Sequence, residues 1–487
     1  MGEETESSAP RRRPWVVRWL AEIVVLVLLA GGVATVRFDL GDRFFGNPDP
    51  ATEPAAVPPP EGLQLPAAAS AAAVSSTPVE VSADAARVDA AIRPLLSRKR
   101  VLGRHIGVLV SDLASGKVLF RAGAPTITPA STTKLLTSTA ALEALGPMAR
   151  FRTTVRWDAG ARRLVLVGGG DPFLARTPQE ARSSYPHKAD LATLARTTVS
   201  NLSAKGVRRV RLAFDDSYFT GPPVNPAWPG TYIPEAVVSP ISALWVDEGH
   251  GPGSEAFVSD PAAEAARVFA GALRNAGLKV GPRVTRSEAA ADSVDVATAD
   301  SAPLGQIVER TLAVSDNQAA EVLARHVGLA EKQQGSFVAG AQAVNGVLMK
   351  LGVDVSSNKL YDGSGLSRMN RLSPASLAAV VRLATDDRHP ELRAVLTGLP
   401  VAGFTGSLTY RFDGGPLEAR GRVRAKTGTL TGVHGLAGLA DDATGARMVF
   451  VIVADRVKPA KNLEAQTLID RVAGALGACR CGVGSTP

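Results

Sequence analysis

Between Asn47 and Pro78 eight of 32 residues are proline, and most of the others are Ala, Ser or Glu. Proline donates no backbone hydrogen bond and small side chains bury little, so this stretch cannot join a core and reads as an extended, semi-rigid spacer. It divides the chain into a short leading segment and a long part that must fold by itself. With 487 residues in all, that second part exceeds one ordinary core and calls for an inserted or additional domain.

Ahead of the spacer, Arg11-Arg12-Arg13 and Pro14 precede an uncharged apolar run from Ile23 to Val36. Its 14 residues match a signal-peptide core better than a full bilayer span of about 20, although counting back to Trp19 stretches it to 18. Gly32-Val33-Ala34 offers a cleavage site. The arginines come first, so the positive-inside rule places everything downstream outside the cytoplasm. Residues 1–40 are therefore read as a cytoplasmic tail with a signal anchor or signal peptide, and 41–81 as a linker. A single-pass membrane anchor and secretion to the cell wall after cleavage both remain open.

The net charge of +8 comes partly from those arginines, and no interleaved basic and aromatic pattern accompanies it, so nucleic acid is excluded as a partner. Cys479 and Cys481 are the two cysteines, too few for a Cys-x-x-Cys metal site, and the six histidines show no His-x-x-x-His spacing. Neither a metal nor another cofactor is expected. Free thiols, a small Cys-x-Cys ring and an intermolecular bridge are all compatible with the pair.

Downstream, helical periodicity over Val88 to Leu96 precedes two strand signals, His105 to Val110 and Val118 to Phe120. Then comes Ser131-Thr132-Thr133-Lys134, immediately before an apolar helical run, Leu135 to Leu145. Ser131 and Lys134 stand three apart, so on a helix both project from one face, a hydroxyl beside an amine able to take its proton. A helix start adds free backbone N–H groups and a positive dipole end, both suited to an oxyanion. The pattern is short, and a second copy, Ser356-Ser357-Asn358-Lys359, lies in a Gly/Asp/Asn-rich stretch that reads as a loop.

Residues 147–257 change character: short β-like runs (Arg163 to Val167, Val210 to Phe214), one helix (Leu191 to Ala204) and Gly- and Pro-rich breaks. They read as an inserted α+β subdomain. Helices return at Pro261 to Ala276, Leu304 to Ala313, Gln318 to His326 and Pro374 to Thr385. Val423 to Leu430 and Met448 to Ala454 read as strands, and Leu463 to Leu476 as a closing helix. The catalytic domain is thus expected to comprise residues 82–146 and 258–480.

Ser131-x-x-Lys134, Ser315-Asp316-Asn317 in a turn between helices and Lys426-Thr427-Gly428 on a strand resemble, in this order, the three motifs of penicillin-binding proteins and β-lactamases. Gly168-Gly169-Gly170-Asp171-Pro172, Asp215-Asp216-Ser217-Tyr218-Phe219, Asp362-Gly363-Ser364-Gly365-Leu366-Ser367 and Leu399-Pro400-Val401-Ala402-Gly403 extend the likeness. From about Val88 to Leu476 the chain resembles the low-molecular-mass class C penicillin-binding proteins, D-Ala-D-Ala carboxypeptidases and endopeptidases.

The resemblance implies a fold: an α+β, serine β-lactamase/transpeptidase-like domain, its antiparallel sheet flanked by helices. It implies partners: peptidoglycan stem peptides as substrates and β-lactam antibiotics as acylating inhibitors. It also implies roles. Ser131 becomes the nucleophile, Lys134 its base, Ser315 a proton relay to the leaving amine, Asn317 a holder of the substrate amide and Lys426 a source of positive charge. Thr427 and Thr429 bind the terminal carboxylate, with Gly428 and Asp316 completing the binding motifs, and the N–H groups of Ser131 and Thr429 form the oxyanion hole. Two departures stand out. Only 180 residues separate Lys134 from Ser315, room for one insert rather than two, and Trp228-Pro229-Gly230-Thr231-Tyr232 lacks the acid that reads a stem-peptide amine. A β-lactamase of the same fold and a non-catalytic cell-wall binding protein are the competing expectations.

Overall fold

A computed structural model describes residues 81–483; the apolar run Ile23 to Val36 and the whole Asn47 to Pro78 spacer lie outside the described residues. Among the described residues no helix is long and apolar enough to cross a membrane.

The uninterrupted apolar run Met448 to Ala454 calls for a strand covered on both sides, and the structure supplies both covers. Strands β2 (Ile106–Asp112), β3 (Val118–Gly123), β9 (Val423–Leu430), β10 (Val433–Asp441) and β11 (Arg447–Ala454) form an antiparallel sheet in the order β3-β2-β11-β10-β9. Met448, Phe450 and Ile452 face one core, whereas Val449, Val451 and Val453 face the other. Such alternation follows from the two-residue period of a strand.

On the first face lie α1 (Ala85–Leu96) and α9 (Asn462–Ala478), which also pack on each other. The second face carries α2 (Thr133–Leu145), α5 (Leu304–Ala313), α6 (Asn317–Lys332), α7 (Phe337–Lys350) and α8 (Pro374–Thr385). Every residue of α2 from Thr133 to Leu142 is buried, so this helix is a central post rather than an amphipathic surface element. Each fully buried leucine contributes about 1.5–3 kcal/mol, which anchors whatever chemistry sits at its start. The ends of the described chain meet in a small ribbon, β1 (Ser82–Ala83) with β12 (Gly482–Val483). Next to it Cys479 and Cys481 are joined in a disulfide.

The insert is built around a second sheet, β4 (Arg152–Asp158), β5 (Arg163–Val167), β6 (Arg209–Asp215), β7 (Lys279–Arg286) and β8 (Val294–Asp300), ordered β7-β6-β5-β4-β8. Helices α3 (Leu191–Ser203) and α4 (Pro261–Asn275) cover it. The boundary expected at residue 257 therefore differs from the packing. Helix α4 and strands β7 and β8 belong to the insert's core, which runs on to Asp300, and the catalytic domain resumes with α5. An amphipathic helix buries the same stripe whichever sheet it lies on, so the periodicity of Pro261 to Ala276 could not name its partner.

Candidate active site

Ser131 stands in a single 3-10 turn, Ala130–Thr132, that runs straight into α2. Ala130 just before it adopts a left-handed φ of 47°, and Ser315 of the second motif has φ 63°. Non-glycine residues hold such angles at a cost of roughly 1–3 kcal/mol, and they concentrate where side-chain placement matters. Thr132 and Thr133 fasten the turn by donating to Pro129 O (2.8 Å) and Ala130 O (2.9 Å).

Lys134 is wholly buried and its Nζ lies 2.9 Å from Ser131 Oγ, 2.8 Å from Asn317 Oδ1 and 2.9 Å from Ser364 O. The last two groups can only accept. A neutral amine has two N–H bonds and one lone pair; with both N–H bonds donated to those acceptors, its lone pair faces the Ser131 hydroxyl. Burial lowers the Lys134 pKa to about 8, against the opposing pull of Glu321, Asp316 and Asp362.

Strand β9 brings the third motif alongside. Gly428 is required for that approach, because a Cβ there would meet Pro129 O at 2.7 Å and Thr132 Cγ2 at 3.1 Å. Lys426, also wholly buried, donates to Ser315 Oγ at 2.8 Å and to Thr427 O at 3.0 Å. Its pKa is pushed far below the ordinary lysine value by burial, then by the neighbouring Lys134 and by Arg411. Burial is the main cause for both amines; neighbouring cations add to it at Lys426, whereas carboxyls oppose it at Lys134. Thr427 Oγ1 lies 3.0 Å from Ser407 Oγ, and Thr429 is exposed on the same strand.

The structure thus gathers these residues into two adjoining hydrogen-bonded groups, Ser131, Lys134 and Asn317 in one and Ser315, Lys426 and Thr427 in the other. Asn317 is engaged at both ends, its Nδ2 donating to Val237 O of the insert at 2.9 Å. Asp316, expected among the substrate-binding residues, has another part: its Oδ1 accepts from Ala319 N at 2.9 Å as the N-cap of α6, and its carboxyl meets that of Glu248. The copy at Ser356 to Lys359 is a turn on which Ser356 bonds its neighbour Asp354.

Several participants escaped the sequence. Ser364 O supports Lys134, and Asp362 ties its turn together by accepting from Trp228 Nε1 (2.8 Å), Gly365 N (3.0 Å) and Asn370 Nδ2 (2.6 Å). Gly365, at φ 87°, sits where a Cβ would be 1.9 Å from Ala130 O. The Gly-Ser-Gly spelling of this turn was the available signal for a close approach of backbones.

The model of the D-Ala-D-Ala carboxypeptidase 3 (S13) family matches residues 88–256 and 250–476. Carboxypeptidase DacB of Mycolicibacterium smegmatis is 33% identical over 381 residues, covering 77% of this chain and 80% of that protein. A D-alanyl-D-alanine carboxypeptidase of an Actinomadura species is 28% identical over 449 residues, covering 74% and 80% respectively. In fold, the crystal structure of penicillin binding protein 4 from Haemophilus influenzae is similar with a TM-score of 0.64 at 21% identity, over 79% of this chain and 98% of that one. With the family model spanning both the catalytic domain and its insert, the chain belongs to the D-Ala-D-Ala carboxypeptidase 3 (S13) family.

Proposed function

We propose that this serine-type D-Ala-D-Ala carboxypeptidase works through an acyl-enzyme on Ser131, with Lys134 as the base. The observation that supports this most is the position of Lys134 Nζ, 2.9 Å from Ser131 Oγ and fixed by two pure acceptors. Ser131 Oγ attacks the carbonyl carbon of the penultimate D-Ala of a peptidoglycan stem peptide as its proton passes to Lys134. The C–N bond to the terminal D-Ala breaks, and that amine takes a proton through Ser315, which Lys426 holds at 2.8 Å. Water then hydrolyses the Ser131 ester with Lys134 again receiving the proton, and Ser131 is regenerated. The N–H groups of Ser131 and Thr429 hold the oxyanion. Lys426, Thr427 and Thr429 take the terminal carboxylate, whose negative charge favours the proton that burial, and then the neighbouring cations, disfavour on Lys426.

A β-lactam presents the same carbonyl and carboxylate, so it acylates Ser131 in place of the peptide. Incubation with a fluorescent penicillin and mass mapping of the adduct tests the assignment: label on Ser131, lost in Ser131→Ala, is expected, and equal labelling of the variant sinks it. The site faces the cell wall, outside the cytoplasm, with the Ile23 to Val36 run as its membrane anchor. Carbonate extraction of membranes checks that placement, since release of the protein would count against an anchor.

A further inference from the structure

Glu321 lies one turn beyond Asn317 on α6, wholly buried, and no step above uses it. Its two oxygens each accept the N–H of Gly363 at 3.1 Å, and Oε1 accepts the N–H of Ser364 at 2.7 Å. The far side of the same turn grips the nucleophile's helix, Ser364 O accepting from Lys134 Nζ at 2.9 Å and Gly363 O from Thr137 Oγ1 at 2.7 Å. Ser364 is therefore a one-residue bridge, its N–H on the carboxyl and its carbonyl on the amine. The turn lies flat on α6: a Cβ at Gly363 would meet Ala324 Cβ at 2.5 Å and Ala320 O at 2.8 Å.

We propose that Glu321 is a positioning residue, a buried counter-charge that holds the Gly363–Ser364 turn on Lys134 and governs when that amine gives up its proton. The inference rests on the Ser131–Lys134 mechanism proposed above. Around the pair stand Asp362 from the turn and Arg325 from the same helix as Glu321; Lys134 also faces Asp316 and Lys426, with Arg411 behind the latter. Burial, then Asp362, raises the Glu321 pKa to about 7, against the pull of the Ser364 and Gly363 donors. Among the acids that oppose the loss of the Lys134 proton, Glu321 acts most strongly. An ionised Glu321 favours the ammonium; a neutral one does not. Carboxyl and amine thus titrate in adjoining ranges, and each state of one biases the other.

Glu321→Gln keeps an acceptor for the turn and removes the charge, so Lys134 becomes a base at lower pH. The second-order rate of acylation by a fluorescent penicillin, followed against pH, should show its acid limb moved down by about one unit. Glu321→Asp retains the charge, and its limb should stay with the wild type. A Gln limb that coincides with the wild-type limb, or an Asp limb that moves as far as the Gln limb, overturns the proposal. Infrared difference spectra with isotope-labelled glutamate carboxyls add a direct reading: a buried carboxyl that titrates near neutral pH in the wild type and is missing in Glu321→Gln, where Glu248 remains, supports the role, and an unchanged spectrum overturns it. Mapping the adduct in the same samples separates two failures. An adduct away from Ser131 removes the mechanism and this inference with it, whereas an adduct on Ser131 with an unmoved limb removes only the role of Glu321.

Discussion

Two lysines share this cleft, both wholly buried, and their surroundings differ in sign. Lys134, on the helix side, has the carboxyls of Glu321, Asp316 and Asp362 behind it, and these offset part of its desolvation. Lys426, on the sheet side, has other cations as its charged neighbours, Lys134 and Arg411, and the acid that Arg411 meets is Asp470 on α9. One amine is supplied with counter-charge by the fold and stays poised near neutral pH. Among the described residues the other has no carboxylate acting on it, and a substrate's terminal carboxylate would supply one. On the mechanism proposed above, identical side chains acquire unlike tasks from what lies behind them, a base on one wall and an anion receptor on the other.

The sharpest way to break this comparison is to remove each amine while keeping its stem. Lys134→Met should slow acylation of Ser131 by roughly a thousandfold, the usual scale for a lost general base. Lys426→Met should reduce kcat/KM for a stem peptide by roughly 10–100-fold, mainly through KM, because a charge-assisted contact made in the bound state is lost. A peptide ending in an amide should feel Lys426→Met far less. Steady-state kinetics on paired acid and amide substrates distinguishes the walls, and equal losses in both variants on both substrates would abolish the distinction.

Acidity gives the next test. In the proposed mechanism Lys134 acts in its deprotonated form, so acylation should rise about tenfold per unit as pH increases towards about 8 and flatten above it. Lys426 has its pKa well below the ordinary lysine value, so charge on it is disfavoured, and it is not among the groups that shift Lys134. Lys426→Met should therefore leave the acid limb in place. A limb that moves under rapid-mixing measurement would show that Lys426 still carries charge while Lys134 titrates.

Half of this arrangement was legible in the residues themselves. Ser131 and Lys134 are three apart ahead of an apolar run, and the spacing together with that helical run places a hydroxyl beside an amine, which the same spacing at Ser356 and Lys359 does not. Lys426-Thr427-Gly428 sits in a run that reads as a strand and forms β9, although four residues in succession, Ala425 to Gly428, are buried there. What stayed hidden was the counter-charge. Glu321 is spelled like any charged residue on a helix, and only the Gly363–Ser364 turn, more than forty positions on, turns it into a buried group. The same holds for the insert. Strands β7 and β8 are largely exposed or half-buried, so they lack the alternation that marks a strand. Their pairing with β6 and β4 is a non-local contact. Short-range spacing is written in sequence; which surfaces meet across a hundred residues is not.

Ser407 offers the smallest and finest probe of the sheet-side wall. Its Oγ lies 3.0 Å from Thr427 Oγ1, and that same Thr427 hydroxyl is 3.3 Å from Lys426 Nζ. The Thr427 hydroxyl is therefore held between a rotor and an amine, and Ser407 helps decide whether its proton points to the substrate or away. Ser407→Ala frees that rotation without touching Lys134. A neutral hydrogen bond contributes about 1 kcal/mol, so KM for an acid-terminated peptide should rise about fivefold with the acid limb of the pH profile unchanged. If the limb shifts instead, the anion-receiving wall is coupled to the base through its hydroxyls, and the separation of the two lysines is weaker than their surroundings imply.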